Sequence, residues 1–210
     1  MNHPLKTFVF RDLPAPLSTL AGAGLVIMSS SRLSFGLTAA AALLWVYDLT
    51  MTAVYFAQPI YPKIGKNIAL ILLTSFLGSC FLLLLWLYSP LLALETGYII
   101  LLTSCYCVGS PAFARFDQPA GKPDTAEFKK IILKTSLEAG SLGILIIGFA
   151  LIREPLGFTT LSLPGGPQGI IELFPPFDED SFLPIGVISG SSGALLLLGY
   201  GAALFRNIKK

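Results

Sequence analysis

Long apolar runs are what most restricts the fold of this chain. Residues 35–57, 68–88, 131–152 and 184–205 each reach the roughly 18 to 20 apolar residues that a helix needs to cross a hydrocarbon core of about 30 Å. Barrel strands alternate between lipid and lumen, and these runs do not. Backbone facing lipid must also satisfy its hydrogen bonds within its own segment, so the runs predict transmembrane α-helices and an all-α, polytopic membrane fold. Composition agrees, with 54% of residues hydrophobic, only 12% charged and a mean hydropathy of +0.75. Two further segments are shorter or more interrupted. Residues 17–31 contain Gly22 and Gly24, and residues 91–108 contain Glu95, Gly97 and Ser104-Cys105-Tyr106-Cys107. Read as short spans or broken half-helices, they bring the number of spans to six. No apolar core precedes Leu17, and the first residues include Lys6, Arg11, Asp12, Pro14 and Pro16, so the first segment is expected to be retained rather than cleaved as a signal peptide.

Loop charge tests that number. Lys and Arg concentrate on the cytoplasmic side of membrane proteins. With six spans and the N-terminus inside, Arg32 and Arg153 are the only two of the fourteen Lys and Arg residues left outside. Four or five spans would move further basic groups across. The pattern therefore predicts six spans with cytoplasmic N- and C-termini. A net charge of +2 gives no sign of a nucleic-acid partner.

The connections divide the single membrane domain, 1–210, into two three-span halves, 17–88 and 91–206. The inner connection, residues 110–130, is basic and contains Pro111, Pro119 and Pro123, which suits a linker. The outer one, residues 154–183, contains the turn signal Leu163-Pro-Gly-Gly-Pro167 and the acidic run Asp178-Glu179-Asp180, and is expected to form an ordered cap or a partner-facing loop rather than a domain. Three spans per half give the halves opposite orientations, as in inverted-topology repeats, with the interrupted first and fourth segments meeting near the bilayer midplane.

Ionisable residues inside spans are costly and mark functional candidates. Asp48, near the middle of the second span, is a candidate for an ion pathway or for local hydrogen bonding; Glu95 and Glu138 lie nearer span ends. Arg153-Glu154 is expected to fix the end of the fifth span and its loop. Gly22 and Gly24 suit either close helix packing or the unwound backbone of a broken helix. Cys105 is a candidate ligand or a small buried residue, and Cys107 could join it only where the helix is broken, because residues two apart on a helix point about 200° from each other. Cys80, in a Leu-rich span, reads as packing. His3 stands alone in the N-terminal tail, and no Cys or His spacing resembles a zinc site. No phosphate-binding loop or paired nucleophile and base suggests a soluble-type enzyme.

Several of these segments carry a resemblance. The stretch from Gly148 to Leu161, with Arg153-Glu154-Pro-Leu-Gly157-Phe-Thr-Thr-Leu161, resembles the Arg-Glu-x-x-Gly-x-Gly-Thr-Leu stretch in membrane subunits of Rnf and Na⁺-translocating NADH:quinone reductase (Nqr) complexes. Leu101-Leu-Thr103-Ser104-Cys105 resembles that family's Thr-Asn-Cys motif. Leu20-Ala-Gly22-Ala-Gly24-Leu25 stands where its Leu-Gly-Leu-Cys-Pro motif falls, and Phe182-Leu-Pro184-Ile-Gly186 is similar to its Leu-Pro-Pro-Gly-Ala stretch. The resemblance spans nearly the whole chain at low identity, and a cytoplasmic N-terminus with a long outer loop favours the RnfE/NqrD-type branch over the oppositely inserted RnfA/NqrE type.

The resemblance implies a six-span subunit in a bacterial or archaeal plasma membrane, paired with an oppositely inserted paralogue and seated among other Rnf/Nqr-type subunits. Each member of the pair would contribute two cysteines to an intramembrane [2Fe–2S] cluster, a centre that thiolates hold and surroundings tune. Cys105 falls on the second cysteine motif, whereas Gly24 stands at the first motif's cysteine and Leu25 at its proline. By carry-over, the chain supplies one metal ligand, Cys105, with Cys107 as the alternative second. Three functions are therefore expected in turn. The first is an electron-relay subunit of a redox-driven ion translocase. The second is a redox-inactive scaffold subunit of such a complex. The third is a solute transporter or channel built on inverted repeats, with residues 29–31 and 189–192 as its candidate polar lining.

Overall fold

In the computed structural model, residues 15–57, 66–110, 113, 125–165, 169–173 and 186–208 are described. The N-terminal tail with His3, most of the proline-bearing linker and the acidic run Asp178-Glu179-Asp180 lie outside them. The chain forms α1 (Ala15–Ser29), α2 (Leu33–Ala57), α3 (Lys66–Tyr88), α4 (Pro90–Gly109) and α5 (Thr125–Phe158). A β-hairpin follows, β1 (Ser162–Gly165) and β2 (Gly169–Glu172), and then α6 (Gly186–Ser189) and α7 (Ser191–Ile208). Leu33–Ala57, Ile68–Tyr88, Pro90–Gly109 and Phe128–Phe158 are long and apolar enough to cross a membrane. Large apolar side chains line their outer faces, among them Leu72, Phe76, Leu83, Leu94 and Leu101, and Leu87 is 80% exposed. So much outward apolar surface suits lipid and not water.

Two expectations about interruption are corrected. The fourth segment is a continuous helix rather than two half-helices. Its hydroxyls bond back to their own helix: Thr96 Oγ1 donates to Leu92 O at 2.7 Å, Thr103 Oγ1 to Ile100 O at 2.6 Å and Ser104 Oγ to Ile100 O at 3.2 Å. Polar residues thus sit in an apolar helix without opening it. Likewise α1 runs unbroken through Gly22 and Gly24, so these are not breaks. A Cβ at Gly22 would stand 3.2 Å from the Tyr106 ring, which makes Gly22 a packing glycine between α1 and α4. The interruption falls instead in the sixth segment, expected to run continuously over 184–205. It divides at Gly190, between α6 and α7.

Small residues bring α2 and α5 together. A Cβ on Gly36 would lie 3.3 Å from that of Ala150, and one on Gly143 would lie 3.1 Å from that of Ala40. Two apolar clusters fill the interior. Leu25, Leu43, Ile99 and Ile146 join α1, α2, α4 and α5, while Val46, Tyr47, Met51, Cys107 and Ala139 join α2, α4 and α5. The α3–α4 turn is a single residue, Ser89, followed by Pro90 in the first turn of α4, where a missing N–H costs nothing.

The hairpin corrects the purely helical expectation. Its strands pair antiparallel, Ser162 opposite Glu172 and Gly165 opposite Gly169, around the Pro-Gly-Gly-Pro turn signal. Gly169 has φ +86°, and a Cβ there would lie 3.0 Å from Leu91 Cβ, so β2 rests on the start of α4 only because this residue is glycine. β1 rests on the start of α2. The α1–α2 turn, the α3–α4 turn, the end of α5 and the hairpin therefore share one end of the bundle.

Candidate functional site

At this capped end Arg153 and Glu154, adjacent near the end of α5, are 2% and 1% exposed. Burying an ion costs several kcal/mol unless partners replace its water. Arg153 finds them on two other elements. Its Nη1 donates to Ile27 O and Ser30 Oγ, both at 2.9 Å, where α1 ends. Its Nε donates to Ile188 O and its Nη2 to Gly190 O, both at 2.8 Å, where the sixth segment breaks. The last carbonyls of a helix have no partner within it and carry its negative dipole end, so a guanidinium satisfies them both by charge and by hydrogen bonding. Of the candidate polar lining, residues 29–31 and 189–192, Ser30 and Gly190 are thus bonded to this cation, whereas Ser29, Ser31 and Ser192 bond carbonyls of their own segments.

Glu154 does the converse. Its Oε2 accepts the N–H of Leu33, the first residue of α2, at 2.7 Å. The next amide, that of Ser34, donates to Ser162 Oγ of β1 at 3.4 Å, and Ser162 Oγ donates to Ser34 Oγ at 3.2 Å. A remote carboxylate and a remote hydroxyl therefore do the work of a local N-cap, and the α2 dipole favours the negative charge by up to about 2 kcal/mol. Glu154 Oε1, equally buried, has no hydrogen-bond partner. Just beyond, Thr159 closes α5 with φ +57° and its N–H bonded to Pro155 O at 3.1 Å. Arg32, at the start of the capped helix, lies over the Phe158 ring at 5.3 Å.

A second polar set lies toward the other end. Tyr47 OH and Ser110 Oγ share a short hydrogen bond that ties α2 to the C-cap of α4. Tyr106 stacks on Tyr47, and Phe113 meets it edge-on. Asp48 is half-buried, and its Oδ1 accepts the Ser136 hydroxyl of α5 at 2.8 Å, the hydrogen-bonding role among those expected for it. Glu138 is half-buried and within electrostatic reach of Tyr47 and Tyr106, whereas Glu95 is exposed on α4. The three acids do not converge.

The cysteines are also kept apart. On the continuous α4, Cys105 faces outward and Cys107 is buried among Val46, Tyr47 and Met51; Cys80 is half-buried on α3. A Cβ at Gly24 would meet nothing within 4 Å. Among the described residues, no three His, Cys, Asp or Glu side chains come together as a metal site. The sequence reading missed the reach of Arg153-Glu154, taking it as local to the fifth span. The signal available was a charged pair before Pro155 at the end of an apolar run, with serines at both other span ends to receive it.

By helix length and composition the chain belongs to the class of polytopic helical membrane proteins. Comparison with known protein families and with curated proteins gives no match, so the Rnf/Nqr resemblance rests on the quoted motifs alone.

Proposed function

We propose that the chain is a non-catalytic membrane subunit of an ion-translocating electron-transport complex of Rnf/Nqr type, pairing with a paralogous six-span subunit in the cytoplasmic membrane. The observation that carries this reading is the divergence of Cys105 and Cys107 on an unbroken α4. With Gly24 at the other motif, the chain can present one thiol at its surface, and a single thiol does not fit a [2Fe–2S] cluster that takes two ligands from each subunit. The scaffold form of the function follows, in which the pair is completed but this chain carries no electron. The motifs that resemble the family are put to structural use in a way that supports the assignment, since Arg153-Glu154 holds three other helix ends. The helix pairing supports an inverted repeat as well: α1 lies on α4, α2 on α5, and α3 flanks α2 as α6 flanks α5. Both termini then lie in the cytoplasm and the hairpin end faces out.

Outward exposure of Cys105 favours one second reading, a subunit that offers this thiolate to a cluster completed by other chains. Iron content and low-temperature EPR of the anaerobically purified complex decide between them, comparing wild type with Cys105→Ala and Cys107→Ala. The scaffold reading expects any two-iron signal to survive both substitutions. A signal lost with Cys105→Ala alone would establish the electron-carrying reading instead. Failure of the chain to copurify with flavin- and iron-bearing subunits would overturn both and leave the transporter.

A further inference from the structure

Away from the hairpin, the outward face of α5 begins with lysines and continues with aliphatic side chains. Lys129, Lys130 and Lys134 are exposed, as are Leu133, Leu137 and Ile144 farther along. Residues three and four apart are neighbours on a helix, so Lys130 and Lys134 share one stripe with Leu133 and Leu137. Among the described residues none of the three lysines makes an ion pair. Glu138, one turn beyond Lys134, is half-buried and within electrostatic reach of Tyr47 and Tyr106. Depth along the bundle decides what these lysines meet. Lys134 precedes Arg153 of the capped end by 19 residues, which at 1.5 Å per residue is about 28 Å, close to the thickness of a hydrocarbon core. Lys134 therefore stands at the far edge of that core, and Lys129 and Lys130 lie a turn beyond it, at headgroup depth. An aromatic set marks the same level. Phe128 packs on Tyr55 and Phe56 at the end of α2, with ring centroids 4.7 and 5.4 Å away, and Phe56 is exposed. Tyrosine collects at the membrane–water interface, which agrees with this depth.

We propose that the stripe of α5 bearing Lys130 and Lys134 binds an anionic phospholipid, with the headgroup phosphate between the two ammonium groups and an acyl chain along Leu133, Leu137 and Ile144. Charge selects the occupant. Cations at headgroup depth gain from a lipid of net negative charge, and gain little from a zwitterionic one whose own cation neutralises its phosphate. Lys129, on the adjoining flank of the helix, adds to the same field. The aliphatic track that continues from the lysines calls for an occupant with a long apolar chain, which a free phosphate or an acidic protein segment lacks. The inference needs only that α5 crosses a bilayer, so it stands or falls apart from the scaffold reading.

The test mixes the full chain in detergent micelles with dioleoylphosphatidylglycerol or, at equal concentration, dioleoylphosphatidylcholine, and native mass spectrometry counts the retained lipid. Wild type is expected to retain the glycerol lipid over the choline lipid. Lys130→Gln combined with Lys134→Gln should weaken that preference by about fivefold per lysine removed, whereas Lys130→Arg combined with Lys134→Arg should keep it. A photoactivatable phosphatidylglycerol in membranes, read by peptide mapping, should label residues 131–145 of α5. Because that readout is on the wild-type chain, it stands even where the double variant folds poorly. Equal retention of both lipids by wild type would overturn the proposal, as would a preference untouched by the double Gln variant. So would labelling confined to other helices. A zero-length crosslink joining Lys130 or Lys134 to a carboxylate of another protein in native membranes would overturn it as well, and would assign the stripe to a protein contact.

Discussion

A guanidinium bonded to four oxygens from two distant segments is not replaceable by an ammonium, whose three donors cannot span the same fork. Arg153→Lys is therefore expected to destabilise the chain by about 1 kcal/mol or more, and Arg153→Ala by about 2 kcal/mol or more, since Ser30 Oγ, which is buried, and three part-buried carbonyls lose their donor. Denaturant unfolding in detergent micelles measures both, and wild-type stability in either variant would contradict the clamp. Thr159 works in the other direction. A β-branched residue at φ +57° costs roughly 1 kcal/mol that glycine does not, so Thr159→Gly should raise stability by about that amount, less the flexibility glycine adds to the unfolded chain. An unchanged or lowered midpoint would show that the Thr159 Oγ1 bond to Phe158 O outweighs the strain. At this scale the sequence is legible where chemistry is local: residues two apart on a helix diverge, as Cys105 and Cys107 do. It was not legible where a side chain acts across the chain, because nothing near position 154 announces that its partner is the amide of Leu33.

Among the elements, α3 and α4 meet where Gly78 faces Ser104, which also donates to Thr74 O at 3.3 Å. A Cβ at Gly78 would stand 2.6 Å from Ser104 Oγ, so a larger side chain must push the helices apart. Gly78→Leu is expected to cost about 1 to 3 kcal/mol by overpacking, and Ser104→Gly in the same chain should restore part of it. A double-mutant cycle in unfolding midpoint checks this, with additive effects refuting the contact. The apolar run lengths announced the long helices well, since lipid leaves the backbone no alternative. They misplaced the interruptions because glycine and serine count as breaks in a sequence but not in a helix that uses them, as Gly22 does against Tyr106 and Ser104 does against Ile100. The real break, at Gly190, lies inside an apolar run and is stabilised by Arg153 from another helix, a contact no window of residues contains.

For the whole molecule, Arg32 and Arg153 were expected to share the outer side, and the fold places both at the hairpin end. Reporter fusions at residue 118 and residue 176 should therefore report opposite sides of the membrane, cytoplasmic and external respectively; reversed or matching signals would overturn the assigned orientation. The clamp at that end also sets a timetable for biosynthesis. Ile27 O meets Arg153 126 positions later in the chain, and Ile188 and Gly190 come later still. At about 5 to 20 residues per second, the ribosome needs roughly 6 to 25 s to deliver the arginine after the first helix is made. Until then the end of α1 stays unfastened, and a nascent chain released before its fifth helix is complete would leave that end exposed to whatever surveys unfinished membrane proteins.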